Sequence, residues 1–161
     1  MTETKKYYLL VKEIPNWGGG GDEPQIPNDE IWYTSSDGNV ILPNSDSGYG
    51  ANIVSNTYSD GKGIIKFDGN VTSIGARAFS YRIDFTSFII PNSVTSIGTG
   101  AFGYCTGITS VKVEAVTPPS ANSNIFNGCS SLTEILVPSA SVNAYKSATN
   151  WSTYADKIKG Y

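Results

Sequence analysis

Histidine is absent from the 161 residues, which removes the commonest general base and the commonest zinc ligand. Two cysteines, Cys105 and Cys129, cannot build a disulfide framework. Asp68, Asp84, Glu114 and Glu134 are the carboxylates a glycan hydrolase would need. That chemistry requires two of them held across a cleft, and nothing in their spacing pairs them. Asp22-Glu23 and Asp29-Glu30 are paired acids flanked by Gly and Pro. Such flanks supply neither the burial nor the fixed separation that shifts a catalytic pKa, so these pairs read as solvated linker charge. Gly61-Lys62-Gly63 lacks the phosphate-loop spacing. The residues imply no enzyme, no cofactor and no metal centre.

Other residue types point to binding. Tyr81 and Tyr104 stand 23 apart, and aligned tyrosines can stack on sugar rings or pack at a protein interface. Their other reading is packing between repeats with wetted hydroxyls. Val71-Thr-Ser-Ile-Gly75 returns as Val94-Thr-Ser-Ile-Gly98, and Ala78-Phe79 as Ala101-Phe102, all at a period of 23; Phe126 follows Phe102 at 24. A period in this range marks a stacked solenoid, whose single repeats cannot bury an apolar face alone. Cys105 and Cys129 fall at equivalent places on neighbouring coils. They are either bonded or, as parallel side chains favour, two buried thiols.

The elements that carry these residues are mainly β. Four segments align at the repeat: Ile65-Lys-Phe67, Phe88-Ile-Ile90, Val111-Lys-Val113 and Ile135-Leu-Val137. Their outer positions should point inward and the middle ones outward. A parallel ladder then presents Lys66, Ile89, Lys112 and Leu136 as an exposed row, the best candidate for contact with a partner. Val71, Ile74, Ala78, Phe79 and Phe85 should fill the first coil. Val94, Ile97, Ala101, Phe102 and Ile108 fill the second, and Ile125, Phe126 and Leu132 the third. In the third coil Thr117-Pro-Pro-Ser120 replaces Val-Thr-Ser-Ile-Gly, and the missing donors should end the sheet on that side.

The flanks divide the chain further. Tyr7 to Ile14 reads as a strand, and residues 15–28, with Gly18-Gly-Gly-Gly21, as a linker. The strand is either a cap on the repeats or an anchor, through Tyr7, Tyr8, Leu9, Leu10 and Val11, that adds to a sheet edge on another virion or surface protein. Residues 29–62 form a cap region in which Asp37-Gly38 joins Ile31–Thr34 and Val40–Pro43 as a β-hairpin. Asp60-Gly61 is a second turn signal, and residues 63–138 hold the repeats. Over residues 139–161, Ser139 looks like an N-cap, and Val142, Tyr145, Trp151, Tyr154 and Ile158 suggest a helical C-terminal cap.

The pattern Val-Thr-Ser-Ile-Gly-x-x-Ala-Phe-x-x-Cys-x-x-(apolar)-Thr-Ser-(apolar)-x-(apolar)-Pro resembles the BspA-type leucine-rich repeat. That family is known from surface proteins of gut and oral Bacteroidetes and of trichomonads. The resemblance implies a short leucine-rich-repeat stack with an adhesive, non-enzymatic role. Arg82 stands where the next coils carry Cys105 and Cys129, and Glu114 stands where the first coil has Pro91.

Composition narrows the partners. A net charge of −3 with scattered basic residues argues against nucleic acid. No stretch reaches the ~20 apolar residues of a membrane span. The opening residues lack the h-region of a secretory leader. Few charges among many Ser, Thr, Asn and Gly suit a virion or surface protein. The expected function is a bacteriophage decoration or fibre-type protein, anchored by its N-terminus, whose head attaches to a surface. The alternative is a secreted bacterial adhesin at the cell surface that binds a host protein or glycan through the repeat face. Symmetric homo-oligomers suit either role.

Overall fold

The computed structural model describes residues 25–44 and 48–161. The strand expected over Tyr7–Ile14, with its anchor residues, and most of the glycine-rich linker lie outside them. The described chain is mostly β-sheet. Its strands are β1 (Glu30–Ser35), β2 (Ile53–Ser59), β3 (Lys62–Phe67), β4 (Ser73–Ile74) and β5 (Phe85–Ile90). They continue with β6 (Ser96–Ile97), β7 (Ser110–Val113), β8 (Ser120–Ala121), β9 (Glu134–Val137) and β10 (Ile158–Gly160). One short helix, α1 (Val142–Ser147), lies near the C-terminus. Seven strands form an open sheet in the order β10-β9-β7-β5-β1-β3-β2, and three form a second sheet, β4-β6-β8.

The repeat register holds where the repeats pair. Phe88, Ile89 and Ile90 lie opposite Val111, Lys112 and Val113. Val111 and Lys112 lie opposite Ile135 and Leu136. Both pairings are parallel, and stacked strands sit roughly 4.8 Å apart. The inward positions are buried as expected, from Val71 and Phe79 through Phe102 to Phe126 and Leu132. Phe79, Phe102 and Phe126 form a column, with ring centroids 5.4 and 5.5 Å apart.

The first rung differs from expectation. Ile65-Lys66-Phe67 does not stack on Phe88–Ile90, because β1 lies between β3 and β5, antiparallel to both. Strand β1 therefore pairs with these two, and the hairpin expected between Ile31–Thr34 and Val40–Pro43 does not form. The reason is visible in the packing. Ile31 and Tyr33 are fully buried, and they fill the space between the two inward rows. Tyr33 lies opposite Gly63, and a Cβ at Gly63 would sit 2.1 Å from the Tyr33 ring. The Asp60-Gly61 turn does form: both residues have positive φ, 51° and 77°, and they join β2 to β3 as an antiparallel hairpin.

Residues 25–29 are not free linker. Asn28 and Asp29 offer their carbonyls to the amides of Val71 and Phe67, and Ile26 is buried. Asp29 and Glu30, read as solvated charge, both reach Lys66 Nζ, at 3.4 and 3.2 Å.

At the far end, the small sheet stops at the proline-bearing coil: Ser120 and Ala121 pair with Ser96 and Ile97 immediately after Pro119, and β8 is the last strand in the order β4-β6-β8. The C-terminal region is less helical than expected. Ser139 is not a helix N-cap; its hydroxyl donates to the Tyr161 carbonyl. Ile158, placed on a helix by its spacing, belongs to β10, which pairs parallel with β9.

This segment supplies the polar partners that a last coil lacks. Ser141 Oγ donates to Val116 O, Tyr145 Oη to Ala115 O and Trp151 Nε1 to Pro119 O, at 2.7–2.8 Å. Asn150 Nδ2 donates to Ala121 O, and the Phe126 amide donates to Tyr154 Oη. An unpaired buried backbone group costs about as much as a lost hydrogen bond, so side chains replace the rung that is not there.

Candidate functional site

Each coil has a third side, a turn between the short strand and the long one. Here the amides of one coil donate to carbonyls of the next. Phe79 and Tyr81 donate to Ala101 and Gly103, and Phe102 and Tyr104 donate to Ile125 and Asn127. Two rows of left-handed residues run across these turns. The first is Arg77, Gly100 and Asn124, with φ of 54°, 59° and 61°. The second is Tyr81, Tyr104 and Gly128, with φ of 62°, 60° and 73°.

Only glycine adopts such a conformation without cost, whereas other L-residues give up roughly 1–2 kcal/mol. Coil three uses glycine in the second row; coils one and two carry tyrosine. Their rings are nearly parallel, with centroids 4.9 Å apart and 8° between planes. A Cβ at Gly128 would lie 2.5 Å from the Tyr104 ring, so Tyr104 is held between Tyr81 and the Gly128 backbone. Tyr81 stays 65% exposed and Tyr104 45%. The sequence period thus does bring Tyr81 and Tyr104 together at the surface.

Between the two rows runs a groove of about 400 Å³. Ser80, Gly103 and Asn127 line it between the rows, and Thr99 joins the Arg77 side. Sequence reading missed Arg77, Asn124 and Asn127. Their signal was the same period, with asparagine as a residue that tolerates left-handed backbone.

The row Lys66, Ile89, Lys112 and Leu136 fares differently. Ile89, Lys112 and Leu136 share one register line, but they are only 3%, 4% and 6% exposed. Their expected exposure is corrected. Lys112 Nζ lies 4.3 Å from the centre of the Tyr161 ring and 3.8 Å from Glu114 Oε1. Lys66 is exposed but falls outside the line: Trp32 lies opposite Ile89 on one side and Ile64 on the other. Its ammonium is held charged by Glu30 first and Asp29 second, which raise its pKa.

Cys105 and Cys129 are free thiols. Each donates to a carbonyl of the preceding coil, Cys105 Sγ to Phe79 O at 2.9 Å and Cys129 Sγ to Phe102 O at 3.0 Å. Arg82, at the same place on the first coil, donates instead to Asn44 Oδ1. Burial pushes the Cys105 thiol up to about 12 and the Cys129 thiol up to about 11. Because the thiolate is the reactive form, neither should react with an aromatic disulfide reagent at pH 8 (~8) in the native chain. Both should titrate after denaturation, and a fast native reaction at either would contradict this burial.

The carboxylates have separate partners. Asp68 accepts from the Asn52 side chain and amide, Glu134 faces Lys159, and Ser36 donates to Asp84. Among the described residues no three His, Cys, Asp or Glu side chains gather as a metal site. None of their helices is long and apolar enough to cross a membrane.

The sequence model described as the BspA type leucine-rich repeat region, in six copies, matches residues 51–157. The chain belongs to this family. The BspA-type match begins in the segment leading into β2 and ends just before β10, so it extends beyond residues 63–138 at both ends. Leucine-rich repeats of this type are typically non-enzymatic and suggest a protein-binding or surface repeat module. The comparison with curated proteins gave no match.

Proposed function

We propose that the chain is a non-enzymatic attachment module, a short solenoid head displayed on a bacteriophage virion as a decoration or fibre-type protein. The observation that carries this reading is the exposed Tyr81–Tyr104 stack beside an open polar groove. Those tyrosines stand in a backbone conformation that glycine would adopt at less cost, so folding alone does not account for them. Strain kept at a surface is a pointer to function. The apolar sequence Tyr7–Val11, with four glycines after it in the chain, supports an N-terminal anchor on a larger particle, where symmetric copies would multiply weak contacts.

The chain should be detected by mass spectrometry in purified virions grown on gut bacteria of the Bacteroides group. Deleting residues 1–14 should remove it from particles while the circular dichroism of the remaining head is kept. Loss of cooperative unfolding on that deletion would make the segment a cap. The second reading is a secreted adhesin that binds a host protein or glycan, favoured by the family's association with surface proteins. Recovery of the chain in the cell envelope and not in virions would select it.

A further inference from the structure

The groove on the turn side has a chemistry of its own. Among the described residues, the side chains of Arg77, Thr99, Asn124 and Asn127 make no hydrogen bond, and neither do the hydroxyls of Tyr81 and Tyr104. Six side chains that donate or accept therefore face one groove unpaired. Their amides, phenols and hydroxyl both give and take hydrogen bonds. Arg77 brings a positive charge, and among the described residues no acidic side chain lines the groove.

Peptide recognition uses other features. It needs an apolar pocket for an anchor side chain or an open sheet edge for a main chain. The groove offers neither: most of its backbone amides are already bonded, those of Arg77, Tyr81, Gly100 and Tyr104 from coil to coil and those of Ser80, Gly103 and Asn127 within their own turn, and the apolar element among its described residues is the tyrosine pair. Within that pair the faces of Tyr104 are taken by Tyr81 and Gly128, so the edges of both rings and their hydroxyls are what the groove can use. A ligand dense in hydroxyls, with a small apolar face, matches this lining.

We propose that this groove binds a short oligosaccharide laid along the stacking axis across the three coils. Asn124 and Asn127 bond adjacent hydroxyls, the tyrosines wall the sugar on one side, and Arg77 takes a carboxylate on an acidic residue. This inference rests on the attachment reading above, and its test separates the two.

The full chain is applied to an array of bacterial and host oligosaccharides, neutral and acidic, and to gut bacterial cells. Binding is expected to a subset of the array, strongest for acidic members. Tyr81→Gly should weaken it by about tenfold or more, a step worth about 1.4 kcal/mol. The same variant should keep or raise the melting temperature, because glycine relieves the left-handed strain. Asn127→Ala should weaken binding in the same way, and Arg77→Gln should remove only the preference for acidic sugars. Cell binding should be lost after periodate, which cleaves vicinal diols, and should survive protease. Binding lost to protease and kept after periodate would overturn the glycan while leaving attachment intact. Silence across the array would likewise overturn it. Array binding without cell binding would keep the sugar site and remove the attachment role.

Discussion

Phe102→Ala is expected to lower the stability of the fold by about 3–5 kcal/mol, the range for truncating a buried aromatic. The magnitude follows from its position. Phe102 is fully buried and touches rings in three directions. Phe79 lies 5.4 Å away on the coil before, Phe126 5.5 Å away on the coil after, and Phe88 4.1 Å away across the interior. Its amide and carbonyl are also in use, the amide to Ile125 O and the carbonyl to the Cys129 and Cys105 donors. Neighbouring coils share these contacts, so the cavity would open between them and could not close without shifting the ladder. Urea unfolding of the variant should show a lower midpoint with an unchanged slope. Phe126→Ala should cost less, because Phe126 meets its next neighbours, Trp151 and Tyr154, edge-on across the terminal cap. An unchanged midpoint for Phe102→Ala would mean that the three rings do not share one interior.

Much of this interior was legible in the chain. A period of 23 or 24 places equivalent residues on the same radius, so aligning two copies of a motif also aligns what they bury. That argument covered Phe79, Phe102 and Ile97, because their partners are their own repeats. It failed where the partner comes from outside the repeat. Strand β1 has no copy, and its place between β3 and β5 shows in the sequence only as Gly63, the small residue that admits the Tyr33 ring. The middle row failed for the same reason. Alternation does send Ile89, Lys112 and Leu136 to the outer face, but alternation says nothing about what lies over that face. The Tyr161 ring at the chain's end and Glu114 beside the row could not be read from the period. The tyrosine pair was half legible. Its spacing was plain, but the left-handed backbone beneath it, which makes it costly and therefore informative, was not. At the C-terminus, helical spacing misplaced Ile158, because the spacing carries no sign of the β9 strand with which it pairs.

Glu114 is the residue by which that covered face can be tested. Its side chain is fully buried; both carboxylate oxygens accept from the Ile26 amide, at 3.2 and 3.1 Å, and the Lys112 ammonium lies 3.8 Å away. Burial pushes its carboxyl above the usual range, against the Ile26 amide and Lys112, which favour the ionised form. A carboxyl raised by folding keeps its proton to higher pH in the native state than in the unfolded chain. Stability should therefore fall as pH rises from the unfolded value, about 4.3, to the raised native one, and level off above it. Glu114→Gln should abolish that falling limb. At neutral pH the same substitution keeps the group in the uncharged form that burial favours, with an oxygen still there to accept from the Ile26 amide, so Glu114→Gln should match or exceed the stability of the unaltered chain. Glu114→Ala should instead cost roughly 1–3 kcal/mol, since it leaves the Ile26 amide buried without its acceptor. A double-mutant cycle of Glu114→Gln with Lys112→Met measures the coupling between the two charges directly. If the falling limb persists in Glu114→Gln and Glu114→Ala is silent, water reaches this site, and the outer face of the ladder is open to partners after all.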